Sequence, residues 1–272
     1  MKRLAIAVLG MVMVGMAGSA ISWAEEPKIP GNQWEIGPEV YYFRYEEPNV
    51  NVKFQGPMYG IAAAFTHHNS NHLMLKAEGR GAYGEVDYTG SGTLDGIQDY
   101  AVEGRLAAGY DISLGEDKSL TPFFGLGDRY LNDDSSGKTS STGASGYKRE
   151  SNYLYSPIGL EFSAKLNDGW RIGVSAEYDV FWKGQQKSHL ENVAAGLNEI
   201  SNDQNHGYGA RGSIKFQKTG ERFDLVIGPY VRWWSIQDSE LANVTYGGTL
   251  IGFAYEPKNE TLEAGGAIAI HF

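Results

Sequence analysis

The stretch "WRIGVSAEYDVFW", residues 170–182, has an apolar or aromatic residue at nearly every second position. Trp170, Ile172, Val174, Ala176, Tyr178, Val180 and Trp182 share one parity, while Arg171, Ser175, Glu177 and Asp179 share the other. A period of two is that of a β-strand, whose successive side chains point to opposite faces. Aromatic residues bracket the aliphatic middle at both ends. A strand in a soluble sandwich has no reason for that placement. A strand facing lipid does, because amphipathic rings settle at the level of the headgroups. Charges on the other face then predict a polar interior.

The same reading extends along the chain. In "DYAVEGRLAAGYD" (99–111), Tyr100, Val102, Gly104, Leu106, Ala108 and Tyr110 oppose Asp99, Glu103, Arg105 and Asp111. Phe223, Leu225, Ile227, Pro229, Val231 and Trp233 oppose Asp224, Tyr230 and Arg232. Ten such segments can be traced, at about 34–46, 56–66, 72–85, 98–112, 120–131, 151–164, 170–182, 207–216, 222–235 and 261–272. Short connections at 67–71, 113–119, 165–169 and 217–221 alternate with longer polar ones at 47–55, 86–97, 132–150, 183–206 and 236–260. Within the fourth long connection, "VAAGLNEI" (193–200) suggests a helical turn or two. The expected fold class is all-β: a transmembrane, antiparallel, up-and-down β-barrel of about ten strands. Short periplasmic turns and long extracellular loops follow from the alternating connections, and both termini fall on the periplasmic side.

The ends agree with this. Lys2 and Arg3 precede an apolar run from Leu4 to about Ala17, and Ser22-Trp23-Ala24 offers a small-residue cleavage site. Residues 1–24 read as a cleaved secretory signal peptide. Residues 25–33 then form a short periplasmic segment and 34–272 the barrel domain. The chain finishes on "EAGGAIAIHF" (263–272), with Phe272, Ile270 and Ile268 on one parity. That ending resembles the sorting signal that the outer-membrane assembly machinery reads on bacterial barrels. The reading therefore places the protein in the outer membrane of a Gram-negative bacterium. Its expected partners are the lipid bilayer, lipopolysaccharide and the assembly machinery, and its expected state is a monomer.

Composition excludes other classes. Removing Lys2 and Arg3 takes the formal net charge from −10 to −12, the wrong sign for a nucleic-acid partner. There are no cysteines. After the leader no apolar run approaches the roughly 18 residues of a membrane helix. No motif implies a cofactor or a metal; the adjacent His67 and His68 lack a carboxylate at ligand spacing.

The polar parity of successive strands supplies candidate interior residues of mixed sign. Lys76, Glu78 and Arg80 neighbour Glu103 and Arg105, and Glu177 can meet Arg211 and Lys215. Glu35, Arg129, Glu161, Asp224, Arg232 and Glu263 add to them. Charges in a bore this narrow are costly unless paired, so cross-strand ion pairs are expected to fill it. A selective path lined by charge rings is the alternative. Asp128 breaks the pattern, because it shares the lipid-facing parity of Leu126 and Tyr130. Either it lies near the rim or the strand bulges there.

One resemblance bears on chemistry. "GYKRESNYLYSPIGLEF" (146–162), "GWRIGVSAEYDVFW" (169–182) and "DQNHGYGARGSIKF" (203–216) resemble the second half of the omptins, ten-stranded outer-membrane proteases. The resemblance implies an Asp-x-Asp pair facing an Asp-x-His pair across the barrel mouth, activating water on a peptide bond. Here the acidic pair is Glu85-Val86-Asp87, and Lys187 stands where an Asp should precede His189. A cation cannot orient an imidazole as a carboxylate does. The resemblance supports the strand count and not the protease. The expected role is non-enzymatic, structural in the envelope or interactive through surface loops, with a narrow channel as the alternative.

Overall fold

The computed structural model describes residues 31–272; the leader at 1–24 and positions 25–30 lie outside the described residues. Fourteen strands follow in order: β1 (Gly31–Glu47), β2 (Val52–His68), β3 (Leu73–Gly90), β4 (Gly92–Tyr110), β5 (Ile112–Ser113), β6 (Lys118–Asp134) and β7 (Lys148–Lys165), then β8 (Trp170–His189), β9 (Glu199–Gln204), β10 (Gly207–Lys218), β11 (Asp224–Ile236), β12 (Ala242–Tyr246), β13 (Thr249–Ala254) and β14 (Asn259–His271). Ten of them are staves of one closed antiparallel barrel, in the ring order β1, β2, β3, β4, β6, β7, β8, β10, β11, β14. β14 closes the ring, pairing with β11 on one edge and β1 on the other. At its foot Trp34 and Phe272 exchange backbone hydrogen bonds of 2.7 and 2.9 Å. The last residue is thus sewn to the first stave, and both ends of the described chain lie beside the short turns. Strand β1 begins at Gly31, three residues before the sequence reading placed it.

The two faces separate as the alternation requires. Outside, exposed Ile36, Ile61, Leu106, Leu126, Ile158 and Ile227 form the apolar belt. An upper girdle of exposed Tyr42, Tyr59, Tyr83, Tyr100 and Tyr178 and a lower one of Trp34, Tyr110, Trp170, Phe223 and Phe272 bound it. The upper girdle runs in two arcs: Tyr83 faces Tyr59 and Tyr100 in register, and Tyr178 stacks on Tyr208 at 6.0 Å. Lipid needs only about 9–11 residues of each strand, and staves of up to 20 residues stand well above the belt.

Several connections differ from the sequence reading. The loop expected at 86–97 is a strand hairpin, with β3 and β4 running through it and only Ser91 between them. The helical turn expected at 193–200 is absent. A 3-10 turn at Leu190–Asn192 precedes it, and Glu199 already opens β9. The last long loop carries the hairpin β12–β13. Asp128 is resolved: pairing on both sides of β6 runs unbroken through it, so no bulge intervenes. It faces outward between Leu126 of the apolar belt and Tyr130, one outward position above the level of Leu106, and accepts a 2.9 Å hydrogen bond from Asn152.

A bulge does occur in β8. Leu154 pairs with Lys183 and Tyr155 with Phe181, leaving Trp182 as the extra residue. Below it, odd-numbered Asp179 and Phe181 face inward; above it, even-numbered Gly184, Gln186 and Ser188 do. One extra residue, with Trp182 and Lys183 both facing out, exchanges which parity faces inward beyond it. Leu106 lies midway between the girdle residues Tyr100 and Tyr110, so Leu106→Arg should cost about 2–4 kcal/mol and Tyr100→Arg at most about 1 kcal/mol. Denaturant unfolding of the protein in lipid vesicles, followed by tryptophan fluorescence, measures both. Equal losses would contradict the belt.

Candidate functional site

The interior has three tiers. At mid-height lies a belt of ion pairs whose members come from eight staves. Glu103 on β4 receives Arg80 from β3 at 2.6 Å and Arg211 from β10 at 2.5 Å. Glu263 on β14 receives Arg80 at 2.9 Å, Arg129 from β6 at 2.6 Å and Arg232 from β11 at 3.1 Å. Arg211 also reaches Asp179 at 2.7 Å and Glu177 at 3.3 Å on β8, and Glu177 meets Arg105 at 2.5 Å. Glu39 on β1 meets Arg232 at 3.1 Å. Arg80, Arg105, Arg129, Arg211 and Arg232 thus face Glu39, Glu103, Glu177, Asp179 and Glu263, five guanidinium groups against five carboxylates. Several of these pairs cross the bore rather than joining neighbouring strands. Breaking one partner of such a buried pair leaves an uncompensated charge, at a cost of roughly 3–5 kcal/mol.

Lower down, Lys76 lies 3.3 Å from Glu78 and 3.4 Å from Glu161, and Lys215 lies 2.6 Å from Glu35. Lys215 therefore turns to β1, not to Glu177 as the sequence suggested. Beneath this the bore opens into a cavity of about 460 Å³ facing the short-turn end. His68 is buried there on β2, not in a turn, and is paired with Asp111, which also accepts a 2.6 Å hydrogen bond from Thr121. His67 points away, toward Asn32 at 2.8 Å.

Above the belt sits a second barrier, which the sequence reading did not foresee. Two aromatic clusters fill the upper bore: Tyr41, Phe43, Tyr45, Phe54 and Met58 on one side, and Tyr153, Tyr155, Phe181 and Trp234 on the other. Inward glycines make room for them. A side chain at Gly127 would collide with the Tyr155 ring, and one at Gly209 with Trp234. Belt and plug are joined, because the Arg211 guanidinium lies 5.1 Å from the Tyr155 ring and 5.6 Å from Trp234. The Tyr155 hydroxyl donates to Glu103 at 2.5 Å. A signal was present: Tyr41, Phe43 and Tyr45 share the parity of Glu35, Glu39 and Glu47.

At the mouth, outside the membrane span, Arg149 on β7 is surrounded by Glu47 at 2.9 Å, Glu256 and, at 4.0 Å, Asp133. The Tyr45 hydroxyl lies 2.9 and 2.8 Å from Glu47 and Glu256, which share its single proton. Three carboxylates share one guanidinium in a dry site. Burial, together with Glu47, pushes Glu256 above the usual carboxylate range even against Arg149. Burial likewise pushes Asp133 up to about 6.

The residues singled out by the omptin resemblance do not meet. Val86 is fully buried in the plug, so Glu85 and Asp87 beside it are exposed on the outer face. The β8 bulge sends His189 outward as well. It lies against Glu150 at 3.0 Å and Glu191 at 2.8 Å, on the outer wall of the extension. Burial works against the charge of Glu150, but Lys148, Tyr130 and His189 hold its carboxyl down at about 2.

The autotransporter beta-domain model matches residues 49–217. No curated protein sequence matches the chain. Among solved structures, the outer membrane protease OmpT from Escherichia coli is 11% identical, with a TM-score of 0.69, over 92% of this chain and 99% of that one. The translocator domain of the autotransporter NalP from Neisseria meningitidis is 12% identical, with a TM-score of 0.41, over 98% and 95%. The toluene transporter TodX of Pseudomonas putida is 9% identical, with a TM-score of 0.37, over 91% and 89%. At 11% identity the likeness to OmpT is one of fold.

A carboxyl whose pKa is raised by folding contributes stability that is present below its unfolded pKa and lost as pH rises through the raised value. The mouth should therefore loosen from about pH 4 to 6, as Asp133 ionises, and further as Glu256 does, by at most about 1.4 kcal/mol per pH unit for each group. Amide protection of residues 236–259, taken relative to the intrinsic exchange rate at each pH, should fall between about pH 4 and 7 in the wild type and stay level in Asp133→Asn combined with Glu256→Gln. Protection that stays level in the wild type would refute the assignment.

Proposed function

The chain belongs to the autotransporter beta-domain family, and from that premise we propose that it is a closed, monomeric, non-enzymatic scaffold of the Gram-negative outer membrane. Its work lies in the structure it raises above the bilayer, where the mouth, β9 and the β12–β13 hairpin meet the outside. The observation that carries this reading is the doubly obstructed bore. An aromatic plug lies over a charge-balanced belt, and each is fastened to the other through Tyr155 and Arg211. Translocation or diffusion of a solute would have to displace both. The outward direction of Glu85 and Asp87 speaks against the water-activating arrangement of the omptins. Loops held on a rigid frame are where surface proteins usually bind.

A narrow channel is the second reading, favoured by the cavity of about 460 Å³ below the belt. In that reading the belt and plug act as a gate that opens.

Planar-bilayer recording of the refolded mature protein separates the two. The wild type should be silent. Glu103→Ala combined with Arg211→Ala removes both partners of the central pair, and Trp234→Ala thins the plug; either should admit small, steady currents. Folding of each variant is checked by its heat-dependent mobility on a detergent gel. Ion-selective current from the wild type would make the channel the correct reading.

A further inference from the structure

On the outer wall of the extension, His189 has no part in the lumen. It ends β8, opposite Glu199, the first residue of β9. Its Nε2 lies 3.0 Å from Glu150 Oε2. The other oxygen of Glu150 is taken by the Tyr130 hydroxyl at 2.6 Å and Lys148 at 2.8 Å. A carboxylate so occupied can only accept from the ring, which puts a proton on Nε2 and fixes the imidazole plane. Nδ1 then faces the opposite way, toward Glu191 Oε1 at 2.8 Å and Glu199 Oε2 at 3.5 Å. One ligand atom from each of the three residues lies within 4.8 Å of the others.

We propose that His189 Nδ1, Glu191 and Glu199 bind one divalent cation of the zinc type, with Glu150 as the positioning residue behind the imidazole. Zinc takes nitrogen and carboxylate oxygen at about 2.0–2.2 Å in a tetrahedral arrangement. Ligand atoms around it are then separated by roughly 3.3–3.6 Å; Glu199 already stands at 3.5 Å from Nδ1, and the exposed Glu191 carboxylate, at 2.8 Å, has to draw back to admit the ion. A carboxylate holding the far nitrogen of a ligating histidine is the usual outer support of such a site. An imidazole ligand argues against calcium, which collects six to eight oxygens. Lys187, 3.8 Å from Glu199 and as exposed as that residue, is a weak competitor. Three protein ligands leave a fourth position for water or for a donor from outside. The metal would staple the turn at 190–199 to the barrel wall. None of this depends on whether the lumen conducts.

The test uses the refolded full barrel in detergent, stripped with a chelator and titrated calorimetrically with zinc chloride. Bound metal is counted after gel filtration. One zinc per chain is expected. His189→Ala should abolish binding, as should Glu191→Gln together with Glu199→Gln. Glu150→Gln should weaken it by about 10- to 100-fold, and Glu150→Asp, which keeps the carboxylate, should recover part of the loss. All these side chains lie on the outer wall, so gel mobility and bilayer silence should be unchanged. Stoichiometric binding that survives His189→Ala and the double variant, the absence of saturable binding, or displacement by excess calcium would each overturn the proposal.

Discussion

Hydrocarbon offers no hydrogen-bond partner to a peptide group, so a sheet that enters lipid must leave no free edge. In this protein that requirement rests on β14, which satisfies β11 and β1 at once and ends with Phe272 bonded to Trp34. The other large features follow from closure. Ten staves make a narrow ring, and a narrow ring leaves little bulk water inside. Polar side chains on the inner parity must then find one another. The five-against-five belt is the form that solution takes here, and its cross-bore pairs tie opposite walls together.

Closure does not by itself dictate an aromatic plug. Its rings occupy positions where a polar group would be equally compatible with the alternation. What makes the plug possible is the set of small inward residues beneath it, Gly127 and Gly209 among them, which let Tyr155 and Trp234 lie flat against the wall. The rings also serve the charges. Arginines at the top of the belt lie against their faces, where the quadrupole of the ring replaces part of the lost hydration. Belt and plug therefore behave as one packed unit.

The fold was almost fully legible in the sequence because period-two alternation repeats from stave to stave and aromatic brackets mark several of them, β4, β8 and β11 most fully. The membership of the belt was legible for the same reason: parity alone put Arg80, Glu103, Glu177 and Arg211 on the inner face. Which of them would pair was not, because pairing across a bore depends on stagger and tilt, which alternation does not encode. Lys215 shows the difference, turning to Glu35 rather than Glu177. The hairpin through 86–97 was hidden by glycine and polar residues, which read as loop although the strands continue above the lipid. The bulge at Trp182 was the least visible feature. An extra residue in an alternating run leaves no mark until the partner strand is known, and it changes the meaning of everything beyond it. His189 read as a mouth residue only while the parity was assumed unbroken.

That bulge uncouples the protein's outward appearance from the length of its strand. Above Trp182, whether a side chain is displayed to a neighbouring cell, an antibody or a phage depends on its register with β7, not on whether its number is odd or even. Removing Trp182 would set Lys183 directly after Phe181 and still opposite Leu154, leaving Lys183, Gln185, Lys187 and His189 outside and Gly184, Gln186 and Ser188 inside. The membrane-embedded part would keep its faces, since the slip lies above it. A lineage carrying this barrel could thus gain or lose that one residue in a single codon event and keep the same exterior, because the bulge absorbs the change in length.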